Sequence, residues 1–265
     1  MEKISAFLKR IGLDENTKIE HTVDFLKLIQ YHAVTHLPYE NIDIINGVSL
    51  KLDAESLFDK IVVRGRGGYC FELNALLSHI LKEMGFEVTD YLARFLRGVE
   101  GIPVRHHRVV AVKLENKTYI CDIGIGSKAP RHPLELTEGI AQTQFGEIYE
   151  FSKDETLGWV LWEHHKGEKC KYISFTEDKQ LEMDFILPSF YCEKHPDSKF
   201  NKALMVAMKT EKGRKTINGN EYKEFVGDLV VLEEKLTEKA LNQRLEKDFF
   251  NTETFKTMEQ VIIIC

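Results

Sequence analysis

Near residue 86 the spacing of apolar side chains changes from a helical period to alternation. No other feature of this 265-residue sequence narrows its fold as much. Upstream, Ile4, Phe7, Leu8 and Ile11 stand at i, i+3, i+4 and i+7, and Phe25, Leu28, Ile29, His32 and Ala33 repeat the pattern until Pro38 ends it. Residues 42–52 carry Asn46-Gly47 between β-branched neighbours, which predicts a small hairpin. Asp53 then caps a segment with Leu57, Phe58, Ile61 and Val62 on one face, broken by Arg64-Gly65-Arg66-Gly67-Gly68. Leu73, Leu76, Leu77, Ile80, Leu81 and Met84 form the clearest amphipathic helix, stopped by Gly85. From Phe86 to Phe175 the period of two predicts strands at 109–113, 118–123, 147–151, 157–162 and 170–175. Beyond Met183 the pattern is mixed: a helix around Phe200, Leu204 and Met208, short strands about Asn218-Gly219, and a charged helix over 238–249. Helices first, strands second and a mixed end predict an α+β fold in up to three subdomains.

Composition excludes several classes. Hydrophobic residues at 43% and charged residues at 29% are the balance of a globular chain, not a disordered one. The net charge of −6 argues against a nucleic-acid partner. Apolar runs of four or five residues, such as 261–265, fall far short of the ~20 a membrane-spanning helix needs. The first residues lack the apolar stretch of a secretory signal. Five cysteines at 70, 121, 170, 192 and 265, an odd number without a C-x-x-C pair, read as reduced thiols in the cytoplasm.

Cys70 follows a glycine turn and begins the strongest helix, where unpaired backbone N–H groups stabilise a thiolate. A small buried hydrophobe fits that position equally well. A thiol nucleophile needs a base and the base an orienter. His107 opens one strand and Asp122 ends the next, with His106 adjacent to the first. If the intervening hairpin turns about Asn116, Asp122 falls opposite Val110, about 10 Å along the strand from His107, and a bulge or strong twist must close the gap. Surface or capping roles for both residues stay open at this point. Gly124-Ile125-Gly126-Ser127-Lys128-Ala129 matches G-x-G-x-x-A after a strand, but Pro130 and Pro133 forbid the helix of a dinucleotide fold. A nest of N–H groups for a pyrophosphate and a plain turn remain equal alternatives. Neither His32 with His36 nor His164-His165 has the partners of a metal site, so no metal is expected. Lys209, Lys212, Arg214 and Lys215 read as a solvated face, with phosphate contact the alternative.

These residues resemble the arylamine N-acetyltransferase family. Arg66-Gly67-Gly68-Tyr69-Cys70-Phe71-Glu72-Leu73-Asn74 looks like its nucleophile signature, His107-Arg108-Val109 its histidine motif, and Asp122-Ile123-Gly124-Ile125-Gly126 its aspartate motif. Leu37-Pro38-Tyr39-Glu40-Asn41 and His195-Pro196-Asp197-Ser198-Lys199-Phe200 are further matches. The resemblance implies a helical bundle over 1–85, a β-barrel-like part over 86–195 and an α/β lid over 196–265. It assigns Cys70 as nucleophile, His107 as base and Asp122 as orienter holding the imidazole Nδ1–H. Arg66 and Glu40 are expected to form a buried ion pair. Acetyl-CoA is the implied donor and an aromatic amine or hydrazine the acceptor. Gly124 and Gly126 are expected against the donor's pyrophosphate, and Tyr39, Phe95 and Ile125 around the acceptor. Tyr39 replaces the family's common Phe, and Cys192-Glu193-Lys194 stands where small hydroxyl residues usually precede the His-Pro-Asp-Ser motif. A thiol hydrolase, an amide synthase with a longer acyl donor and a non-catalytic binding module are the alternatives.

Overall fold

The helical spacing upstream of residue 86 becomes α1 (Glu2–Arg10) and α2 (Val23–His36), with Thr22 accepting the Phe25 amide ahead of α2. A two-residue strand β1 (Tyr39–Glu40) follows, then α3 (Ile42–Ile45), α4 (Ala54–Phe58) continued by a π-helical turn Asp59–Val63, and α5 (Cys70–Glu83). The computed structural model describes residues 2–165 and 167–258, so the 261–265 run and Cys265 lie outside the described residues. No hairpin forms at 42–52. There Asn46-Gly47 ends α3 instead. Val48 donates to Asp43 O at 2.8 Å and Gly47 to Ile44 O at 3.0 Å, with Gly47 at φ +72°. Those are the two reversed bonds of a Schellman cap, and the positive φ that suits a hairpin turn suits this cap as well.

The alternating stretch forms β2 (Glu87–Phe95), β3 (His107–Leu114), β4 (Lys117–Cys121), β5 (Leu134–Glu135), β6 (Gln142–Gln144), β7 (Glu147–Asp154), β8 (Gly158–His165) and β9 (Glu168–Phe175). Of these, β2, β5 and β6 were not among the expected strands. The order β5-β4-β3-β2-β9-β8-β7-β6 is antiparallel throughout and curls into a nearly closed barrel. Its seam is joined by side chains. Gln142 accepts from the Glu135 amide and donates to the Glu135 carbonyl, both at 2.8 Å, and Gln144 does the same for His132 at 2.6 and 3.1 Å. Alternation along β3 sorts the two cores. Val109 and Ala111 enter the barrel with Tyr149, Phe151 and Ile173, while Val110 and Val112 pack with Leu73, Leu77 and the helices.

Helix α6 (Ile186–Lys194) leads to a second sheet of β10 (Met205–Lys209), β11 (Gly213–Asn218), β12 (Glu221–Val226) and β13 (Leu229–Lys235), followed by α7 (Glu238–Asp248) and α8 (Thr252–Met258). The expected helix around Phe200, Leu204 and Met208 is instead a single 3-10 turn, Lys199–Asn201, and strand β10. Pairing on both sides overrides the helical spacing: β10 bonds β1 on one edge and β11 on the other. The cluster at 209–215 is not one solvated face. Lys209 is buried against Glu147 at 2.5 Å, Lys215 meets Asp248 at 2.6 Å and Arg214 stacks on Phe225, while Lys212 is exposed. Among the described residues no helix is long and apolar enough to cross a membrane.

Candidate active site

Cys70 is the first residue of α5, and the glycines before it let that helix start hard against β1. Gly68 N donates to Pro38 O and Gly68 O accepts from Glu40 N. A Cβ on Gly67 would stand 2.0 Å from the Pro38 carbonyl oxygen, so only glycine fits there. Beneath the turn lies a buried ionic cluster. Arg66 bridges Glu40 at 2.7 Å and Asp43 at 2.9 Å, and Lys60 bridges Asp43 and Glu72, both at 2.7 Å. Glu72 also accepts the Tyr69 amide at 3.1 Å and so caps α5. The expected Arg66–Glu40 contact is thus one edge of a five-residue network.

His107 opens β3, and its Nε2 lies 2.6 Å from Asp122 Oδ2, both side chains buried. Two expectations are corrected here. The turn takes only Glu115 and Asn116, with Glu115 at φ +53°, so Leu114 pairs with Lys117 and Cys121 rather than Asp122 faces Val110. Asp122 therefore sits one residue nearer His107 than expected, just past the end of β4. The carboxylate also meets Nε2, not Nδ1. Asp122 still falls short of His107 along the strand, and the full length of the imidazole spans what remains, delivering its distal nitrogen. Nδ1 is then the nitrogen left for the thiol.

Asn74 ties these pieces together. Its Nδ2 donates to Arg108 O at 2.5 Å and to Asp122 Oδ1 at 2.8 Å, and its Oδ1 accepts the Ile123 amide at 2.9 Å. The Gly124 amide adds a bond to Asp122 Oδ1 at 2.9 Å. Asn74 received no role from the sequence, although its spacing four residues after Cys70 puts it on the same face of α5.

A cavity of about 480 Å³ is lined by Cys70 and His107 together with Tyr39, Phe95, Gly124, Ile125 and Gly126. Seven of the eight site residues expected from sequence share it; Asp122 lies behind His107. Sequence reasoning missed the wall from β10 and β11, including Met205, Ala207 and Thr216, because it took β10 for a helix. His106 lines the cavity too, but its Nδ1 is turned to Val104 O at 2.7 Å, away from an orienting carboxylate. Burial pushes the Cys70 thiol well up, and neighbouring Cys192 and Asp122 add to the rise, while the Phe71 amide at the helix start opposes it. The Cys70 sulfur faces the His106 carbonyl oxygen at 3.8 Å. Gly126, at φ +64°, opens a 3-10 turn Gly126–Lys128 and packs on the Tyr39 ring; no helix follows. Among the described residues no group of three or more His, Cys, Asp or Glu side chains is placed to hold a metal ion.

A family model described as N-acetyltransferase matches residues 22–254. An arylamine N-acetyltransferase of Mycobacterium tuberculosis is 32% identical over 225 residues, covering 82% of this chain and 78% of the relative. The solved arylamine N-acetyltransferase of Salmonella typhimurium superposes with a TM-score of 0.89 at 25% identity, covering 97% of both chains. The Mycobacterium marinum enzyme, solved in complex with CoA, gives 0.87 at 26% identity, over 98% of this chain and all of that one. With a match that runs through both sheets and the helices between them, this chain belongs to the arylamine N-acetyltransferase family.

Proposed function

We propose that this protein moves an acetyl group from acetyl-CoA to an arylamine or hydrazine through an S-acetyl intermediate on Cys70. The observation that carries the reading is the seating of Cys70 and His107 on one cavity, with Asp122 2.6 Å from His107 Nε2. Asp122 fixes the ring so that Nδ1 takes the thiol proton, and the resulting imidazolium holds the thiolate as an ion pair that offsets its burial. The thiolate attacks the thioester carbonyl, the tetrahedral oxyanion is met by amides at the start of α5 at ~3 kcal/mol per donor, and CoA leaves with a proton from His107. An amine then enters the same cavity. His107 accepts its proton as it attacks, and the acetyl amide departs, giving ping-pong kinetics.

Tyr39, Phe95 and Ile125 supply apolar walls for an aromatic acceptor. In this reading Gly126 and Gly124 lie along the path of the donor's pyrophosphate. The Gly124 amide is already bonded to Asp122, and the lack of a side chain lets Gly124 lie against the start of α5, where a Cβ would meet Cys70 Cα at 2.8 Å. The CoA complex of the Mycobacterium marinum relative supports this donor. The same proposal divides the chain at 1–85, 86–195 and 196–265 into nucleophile-bearing, base-bearing and lid parts. It places the enzyme in the reducing cytoplasm, in keeping with free thiols at Cys70, Cys121, Cys170 and Cys192.

The test is intact mass after brief mixing with acetyl-CoA, followed by an arylamine. One acetyl group on the Cys70 peptide, discharged only by the amine, is expected. No adduct on a reactive Cys70 rejects acetyl-CoA as donor, and an adduct lost to water alone points to a hydrolase.

A further inference from the structure

Two sulfurs converge at the site, and the transfer mechanism uses only one. Cys192 on α6 lies 3.9 Å from the His106 carbonyl oxygen, the same atom that the Cys70 sulfur faces at 3.8 Å. Both cysteines belong to one buried cluster with Tyr69, Phe71 and Phe200. Both also fall within electrostatic reach of Tyr39 and of Tyr69. Cys192 is fully buried, whereas Cys70 opens on the cavity. A small oxidant entering from solvent therefore meets Cys70 first and finds Cys192 immediately behind it. Cys192 is held there by its own backbone, whose carbonyl accepts from Ser198 Oγ at 2.6 Å.

We propose that Cys192 is a resolving cysteine for Cys70, so that hydrogen peroxide converts the pair to an intramolecular disulfide that stops turnover and spares the nucleophile. The inference rests on the reading of Cys70 as the reactive thiol. In the first step the Cys70 thiolate attacks one peroxide oxygen. An S–O bond forms, the O–O bond breaks, and the departing hydroxide takes a proton from the His107 imidazolium to leave as water. In the second step the Cys192 sulfur attacks the sulfenic sulfur. The S–S bond forms, the S–O bond breaks, and hydroxide leaves with the Cys192 proton as a second water. Sulfur is oxidised and peroxide reduced, with no other reactant. Cys192 is fully buried and does not line the cavity, so peroxide arriving there reaches Cys70 and not Cys192. Cys121 is buried in the core beside α5, and Cys170 lies on β9 of the barrel, so neither is the natural partner.

The experiment treats the intact protein with a modest excess of hydrogen peroxide and follows intact mass, non-reduced peptide maps and acetyl transfer, in the wild type and in Cys192→Ser. The wild type is expected to lose two hydrogens, to yield a linked Cys70–Cys192 peptide and to drop about tenfold or more in acetyl transfer, all reversed by dithiothreitol. Cys192→Ser, with normal transfer before treatment, is expected to gain two oxygens on Cys70 and to stay inactive after reduction. Cys192→Ala serves if the serine does not fold. The idea is overturned if wild-type Cys70 accumulates two oxygens with no linked peptide, or if the variants recover with dithiothreitol as fully as the wild type. A linked peptide in a protein that never takes up acetyl from acetyl-CoA keeps the cross-link and rejects the transferase reading instead.

Discussion

Asp122 holds three polar atoms in register: His107 Nε2 on one oxygen, and Asn74 Nδ2 and the Gly124 amide on the other. An asparagine there keeps the size but presents an N–H₂ where one of these donors needs an acceptor. Asp122→Asn is therefore expected to lower kcat by ~10²-fold or more while the KM for acetyl-CoA changes little, since in the proposed mechanism the carboxylate orients the base and it does not line the cavity. Steady-state kinetics at saturating amine decide it, and near-wild-type turnover rejects the orienting role. At this scale the sequence was most legible where the chemistry is local. A cysteine after a glycine turn reads as a helix start, which is where α5 begins, and Tyr39, Gly124, Ile125 and Gly126 of the motifs line the cavity. Which nitrogen of His107 faces Asp122 is not local. It depends on a register set by a two-residue turn and on how far an imidazole must reach.

Short elements are where the sequence reads least well, and for one reason. Their conformation is decided by partners far along the chain. Strand β10 spaces its apolar residues like a helix, yet β1 and β11 claim both of its edges. The Asn46-Gly47 pair satisfies a hairpin and a Schellman cap alike, and the bonds to Asp43 and Ile44 decide between them. The barrel seam is a further case, because β6 is three residues long and the sequence gives no hint that Gln142 and Gln144 will bind main chain across the gap. By contrast α5 and the long strands β3, β7 and β9 carry enough periodic residues to declare themselves. Replacing both glutamines by Leu keeps their bulk but removes four hydrogen bonds. A loss of ~2–4 kcal/mol is expected from denaturant unfolding, with faster amide exchange concentrated in β5 and β6. Unchanged exchange there shows that the seam does not depend on these side chains.

Across the whole molecule the barrel and the second sheet are fastened by buried charge. Lys209 on β10 meets Glu147 on β7, and Arg131 donates to Glu147, to Thr210 O and to Gly213 O. Burial pushes the Lys209 ammonium from 10.5 down to about 8 against the attraction of Glu147. A lysine with a folded pKa below its unfolded value loses its proton sooner in the folded protein. The unfolded chain then binds more protons between pH 8 and 10.5, and stability climbs with pH through that window. Comparing unfolding of wild type and Lys209→Met at pH 7.5 and 10 isolates this group. The wild type is expected to gain ~2–3 kcal/mol on the variant over the interval, and parallel curves reject the shifted lysine.

Strand β1 is only two residues long, yet its Tyr39 lines the cavity, its Glu40 anchors Arg66, and β10 is bonded to it from more than 160 residues downstream. During synthesis Cys70 therefore leaves the ribosome well before the strand that completes its surroundings. A nascent or prematurely ended chain carries Cys70 without the wall built by Met205–Lys209, so the proposed chemistry must wait until that strand has been made.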